Sequence, residues 1–184
     1  MKKSFFVIFC MTLFVLAGCS NSLGERPEEL EADLDQYPHW FFDDGFNGVF
    51  IIDSNAEPAD HENVRLMIEQ LQQYDPSIDE SLIKLYPAYS QLTGQNAILI
   101  GSCSQVPPNR WSNLFLDCVS MLPEQALVKI VDFKGAWLLF ILGYDTDRTR
   151  DAIDMLGDYR SYLLQGDTVE VVREGDSYRV GLPR

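Results

Sequence analysis

Apolar residues along this chain fall into three patterns, and each predicts a different kind of element. Phe5 to Leu16 are almost wholly apolar and follow Lys2 and Lys3. That order of charge and apolar stretch belongs to a secretory signal rather than to a stable membrane span. Gly48-Val49-Phe50-Ile51-Ile52 and Ala97-Ile98-Leu99-Ile100 are short continuous apolar runs, bounded by Asp53 and Gly101. Runs of this kind predict strands buried on both faces. Val64, Met67, Ile68 and Leu71 instead recur at helical spacing, which places one face of a helix against a sheet. Asp60 is positioned to cap that helix and Asp75-Pro76 to stop it.

The remaining pattern completes an alternation of strands and helices. Leu82 to Tyr86 predicts an edge strand limited by Pro87, and Asn109 to Asp117 a short helix after Pro107-Pro108. Leu127 to Phe133 and Ala136 to Leu142 are apolar and separated only by Lys134-Gly135, which predicts a hairpin. Asp145 to Leu164 is the longest helical stretch, with Ala152, Ile153, Leu156, Tyr159 and Leu163 along one side and Gly166 placed to end it. Val169-Glu170-Val171-Val172 then predicts a last alternating strand, and Arg173 to Leu182 an edge hairpin. The fold class expected is α/β, with a mixed, mostly parallel sheet flanked by helices and an inserted antiparallel hairpin.

Small residues close the signal at Leu16-Ala17-Gly18-Cys19. This ending resembles a lipoprotein lipobox, and the resemblance implies cleavage before Cys19 and lipidation of its sulfur. An ordinary signal or an uncleaved anchor are the other readings, and all three place the chain outside the cytoplasm. Three segments follow: a signal over 1–18, a lipid-anchored acidic tether over 19–36, and an α/β domain over 37–184. Ser20 to Gln36 is polar, acidic and contains Pro27, as a tether requires. A short helix at Glu28–Leu34 would still belong to the stalk. Tyr37-Pro38-His39-Trp40-Phe41-Phe42 changes the composition abruptly and marks the domain boundary.

Charge then narrows the partners. Loss of the first 18 residues leaves 12 basic residues against 28 acidic ones, a net of −16. Phosphate backbones repel such a chain, which argues against nucleic acid. Anionic lipid would not hold it by charge either, so the membrane contact expected is the lipid at Cys19. In the body of the protein only Cys103 and Cys118 remain, and a lone pair in an exported domain reads as a disulfide. A metal site would need further ligands, and His39 and His61 are the only histidines.

Few residues carry the pattern of a reaction. Gly101-Ser102-Cys103-Ser104 follows a predicted strand, where a turn could hold an anion or activate a thiol. Phosphate-loop glycine patterns are absent, so no cofactor is expected, and no histidine is placed to serve Cys103 as a base. Asp145-Thr146-Asp147 could offer carboxylates to a hard cation, but the other positions of a calcium loop are missing. The simpler account is that Asp145 or Asp147 caps a helix while Arg148 and Arg150 pair locally. Asp43-Asp44-Gly45 reads as a turn. Trp40, Phe41, Phe42 and Phe46 read as a seal over one end of the core, with an exposed partner patch as the alternative.

The order of segments resembles the α/β domain of archaeal S-layer proteins. Tyr37-Pro38, Asp44-Gly45-Phe46-Asn47-Gly48 and Asn96-Ala97-Ile98-Leu99-Ile100-Gly101-Ser102-Cys103 carry its first part. Leu122-Pro123-Glu124-Gln125-Ala126-Leu127-Val128-Lys129-Ile130, Gly143-Tyr144 with Asp147-Arg148-Thr149-Arg150, Tyr159 and Tyr162-Leu163-Leu164-Gln165-Gly166 carry the rest. The resemblance spans most of residues 37–172. It implies a non-enzymatic domain of the cell envelope in which the cysteine after the third strand pairs with one shortly downstream, as Cys103 and Cys118 would. Ser102 departs from the Gly-Pro that tends to precede this cysteine in the family, and the chain is far shorter than an S-layer protein. The function expected is a lipid-anchored envelope protein with a structural or binding role, its partner a surface protein or glycan. The alternative is a small envelope enzyme or ligand-binding lipoprotein that uses the turns after Ile100 and Leu142, at the carboxyl ends of strands.

Overall fold

Alternation along each strand sorts the apolar side chains of this protein onto two faces of one sheet. The structure, a computed structural model, describes residues 32–86, 94–103, 118, 120–133 and 135–183. In chain order its elements are β1 (Val49–Asp53), α1 (Pro58–Leu71), β2 (Ile83–Tyr86), β3 (Ala97–Ser102), β4 (Gln125–Phe133), β5 (Ala136–Gly143), α2 (Thr146–Gly157), β6 (Thr168–Glu174) and β7 (Ser177–Gly181). The strands form a seven-stranded sheet in the order β2-β1-β3-β5-β4-β6-β7. Phe50, Ile52, Ile98, Ile100, Leu139 and Ile141 face both helices, while Val49, Ile51, Leu99, Leu138 and Phe140 line the opposite face. All of them are buried, which is why β1, β3 and β5 read as continuous apolar runs rather than alternating ones.

The sheet is mixed, as expected, but it is not mostly parallel. β2, β1, β3 and β5 run parallel, whereas β5–β4, β4–β6 and β6–β7 are antiparallel. The longest ladder is the antiparallel one, Ala126↔Gly143 through Phe133↔Ala136. The β4–β5 hairpin is therefore no insertion into a parallel sheet. It reverses the direction from which β6 and β7 continue. α1 and α2 lie on the same face, yet their crossovers move in opposite directions across the sheet. The two connections consequently have opposite hands, so one of them departs from the right-handed rule.

Local chemistry explains most element ends. α1 starts with Pro58 in its first turn, and the Glu57 amide donates to Asp60 Oδ2 at 3.1 Å. Asp60 thus lies inside the first turn, three residues after the cap residue Glu57, as the second partner of a capping box. Asp145 caps α2 by accepting from the Arg148 amide at 2.9 Å. α2 stops at Gly157, not Leu164, and Tyr159–Ser161 form a separate 3-10 turn. At this end a Cβ on Gly157 would stand 2.6 Å from Gln70 Nε2 of α1, so the helices approach through a residue with no side chain. Leu163, expected on the apolar side of the helix, is 72% exposed.

Leu34, assigned above to the tether, is fully buried in the helix-side core. Its amide donates to Gly166 O at 2.8 Å, and the Gly166 amide donates to Asp33 Oδ1 at 2.9 Å. The folded unit therefore begins upstream of Tyr37. The aromatic segment after it is the expected seal. Phe41 is fully buried, Phe46 stacks on Phe50 with centroids 5.5 Å apart, and Trp40 meets Trp137 at 5.8 Å. Asn96 fastens it, donating to Trp40 O at 3.0 Å and accepting from the Trp137 amide at 2.8 Å. Cys19, the signal over 1–18 and the helix expected at Asn109–Asp117 lie outside the described residues.

Candidate functional site

The two turns that sequence picks out as ligand positions are neighbours. β3 and β5 pair through Gly101↔Leu142 and Ser102↔Gly143, and the Cys103 amide donates to Gly143 O at 2.8 Å. The first turn of α2 sits directly on this junction. Thr149 Oγ1 accepts from the Gly143 amide at 3.0 Å and lies 2.9 Å from the carbonyl oxygens of both Gly101 and Asp145. A Cβ on Gly143 would collide with the backbone of Thr149 and Arg148. The junction of β3, β5 and α2 is thus bound together by the protein's own hydroxyl and backbone, and Asp145 takes the Arg148 amide of the helix start.

The acidic cluster after β5 divides in the same way. Asp145 is the cap, and Asp147 is exposed in the first turn. Asp151, 4% exposed, is held between Arg148 and Arg173, the latter at 3.2 Å. Burying such a carboxylate is tolerable because both guanidiniums meet it. Among the described residues no group of three or more His, Cys, Asp and Glu could hold a metal ion.

Cys103 and Cys118 form a disulfide, with Cα atoms 5.4 Å apart and a sequence separation of 15. It packs against the second sheet face. Its sulfur committed, Cys103 offers no thiolate nucleophile in this state. Ser104 lies outside the described residues.

Two polar atoms at the carboxyl edge of the parallel strands differ from these satisfied groups. Ser102 Oγ and Asp60 Oδ1 are buried without a hydrogen-bond partner among the described residues. Burial pushes the Asp60 carboxyl upward; the Glu57 amide and the His61 charge oppose this, while the charges of Glu57 and Asp53 add to the rise. Asn63 Nδ2 bridges from α1 to Thr146 O at 2.9 Å. The chain leaves β1 and β3 toward opposite ends of the sheet here, the kind of switch point at which open α/β sheets take ligands.

Sequence reasoning missed a second location, at the other ends of the helices. Gln73, Tyr74, Gly157, Asp158, Tyr159 and Arg160 line a cleft of about 220 Å³. Arg160 Nε donates to the Tyr159 hydroxyl at 3.2 Å, and the Tyr74 hydroxyl lies 3.5 Å from the same oxygen. The buried Tyr37 ring packs T-shaped with that of Tyr159, centroids 5.2 Å apart. Burial and the Tyr159 contact push the Tyr74 phenol up to about 12. The Tyr74 hydroxyl and then Arg160 lower that of Tyr159. No signal in the sequence links Tyr74 to Tyr159, and the helical spacing had placed Tyr159 on the core side of a longer helix.

No protein-family model matches this chain, and no curated protein matches it in sequence.

Proposed function

We propose that this protein is a lipid-anchored, extracytoplasmic α/β domain with a structural or binding role in the cell envelope, related to the α/β domain of S-layer proteins. The observation that carries the reading is the Cys103–Cys118 disulfide, because such bonds persist in oxidising compartments and are rare in the cytosol. The lipobox-like Leu16-Ala17-Gly18-Cys19 supports it independently, since it supplies the export signal and the sulfur for attachment. Cys19 would be the anchor and the acidic segment after it the spacer. Thr149, which bonds both Gly143 and Gly101, is consistent with a structural role at the junction of β3 and β5.

Replacement of the anchoring sulfur tests the reading. Wild-type protein should partition with membranes at a mass raised by acyl groups. Cys19→Ser should appear in the soluble fraction or retain its unprocessed leader. Identical fractionation and mass for the two proteins would refute lipidation.

A further inference from the structure

We infer that the cleft between the carboxyl ends of α1 and α2 binds a single sugar unit of a neutral glycan, between the Tyr74 and Tyr159 rings and the polar groups of Gln73, Asp158 and Arg160. The inference goes beyond the envelope reading and relies on it only for the source of the glycan.

Size is the first argument. At about 220 Å³ the cleft lies below the roughly 300–1,000 Å³ of sites that enclose drug-sized ligands. Gln73, Tyr74, Gly157, Asp158 and Arg160 are all exposed, so the space is open to solvent. A monosaccharide at the end or branch of a chain fits a small, open recess, whereas a larger apolar cofactor does not.

Wall chemistry is the second. Tyr74 and Tyr159 offer ring surface to C–H groups and hydroxyls that both donate and accept. Gln73 supplies one donor and one acceptor group, Asp158 accepts and Arg160 donates. That combination of apolar faces with mixed donors and acceptors matches a polyol.

Charge is the third. Asp158 and Arg160 offset one another, and Arg160 is engaged, its Nε on the Tyr159 hydroxyl and its guanidinium 5.6 Å from the same ring centroid. An anion would meet the Asp158 carboxylate beside the guanidinium. A cation would meet Arg160. A neutral ligand suffers neither penalty.

The walls are also rigid where they need to be. Tyr159 is braced from behind by the buried Tyr37 ring, and Tyr74 packs against Phe42 with centroids 5.5 Å apart. Pre-set rings reduce the ordering cost of binding.

Saturation-transfer NMR on the detergent-solubilised full-length protein tests this, with glucose, galactose, mannose and N-acetylglucosamine as probes. Transfer to the ring C–H protons of at least one sugar is expected, with binding about tenfold weaker in Tyr74→Ala. Asp158→Ala alters an exposed side chain and guards against an unfolded variant; it should weaken binding similarly while leaving the amide spectrum folded. Absence of transfer to all four sugars would overturn the inference. So would undiminished transfer in both variants, or displacement of the sugar by inorganic phosphate. None of these outcomes depends on Cys19, so they separate from failure of the anchor.

Discussion

The Thr149 hydroxyl accepts a hydrogen bond from the Gly143 amide at 3.0 Å, joining the end of β5 to the first turn of α2. The same oxygen lies 2.9 Å from Gly101 O and 2.9 Å from Asp145 O, and its single proton is shared between them. One buried side chain therefore ties β3, β5 and α2 together at the edge where ligands enter many α/β sheets.

Gly143→Ala should be strongly destabilising, by about 3 kcal/mol or more. The added methyl would meet backbone atoms of Thr149 and Arg148 and the carbonyl of Asp145, none of which can rotate away as a side-chain tip could. Urea denaturation measures it. A midpoint equal to wild type would mean that α2 does not sit where it is described.

Thr149→Val and Thr149→Ser separate the hydroxyl from the methyl. Valine leaves the buried Gly143 amide without its acceptor and should cost about 2 kcal/mol. Serine keeps the oxygen and should retain most of that stability. Equal losses in the two variants would assign the role of Thr149 to packing.

Reduction of the Cys103–Cys118 bond should lower stability by about 3 kcal/mol, on the chain-entropy relation for a loop of this length. Denaturation midpoints with and without reductant give the value. The oxidised protein should also weigh two protons less than its reduced form, and readily alkylated thiols in the untreated protein would contradict the bond.

Asp60 should leave a mark on the pH dependence of stability. Burial raises its folded pKa above the unfolded value, so the native state prefers the protonated form. The favourable contribution is complete below the unfolded pKa and is lost as pH rises through the folded one. Wild-type stability relative to Asp60→Asn should consequently decline from acid toward neutral pH. A difference that stays constant across that range would exclude Asp60 as the titrating group.

The parts of the fold that were legible in sequence are those set by near neighbours. Val49 to Ile52 and Ala97 to Ile100 announce buried strands because both faces of each are covered. Val64, Met67, Ile68 and Leu71 announce α1 because four successive contacts fall on one helical stripe. Lys134-Gly135 marks its hairpin through a glycine at φ +79°, a conformation other residues rarely adopt. The Cys103–Cys118 pairing was legible too, since only two cysteines remain after the signal and attachment site are set aside.

Other features depend on residues far apart in the chain. Leu34 looks like part of a polar tether until Gly166, 132 positions later, bonds its amide and the core covers its side chain. α2 has helical spacing through Leu163, yet it ends at Gly157, where it approaches Gln70 of α1. The balance of parallel and antiparallel pairing was not readable from strand composition, since β4 is apolar whichever way β6 runs beside it. The tyrosine cleft was equally hidden, because 85 positions separate Tyr74 from Tyr159.

By itself, then, the sequence determined where this chain buries apolar surface, where most strands and one helix run, and which cysteines are left to pair. Those properties follow from local spacing and side-chain chemistry. Only the tertiary structure decided that Thr149 ties the ends of β3 and β5 to α2 and that two distant phenols share a cleft. Both outcomes rest on which elements pack together, and no single segment encodes its neighbour.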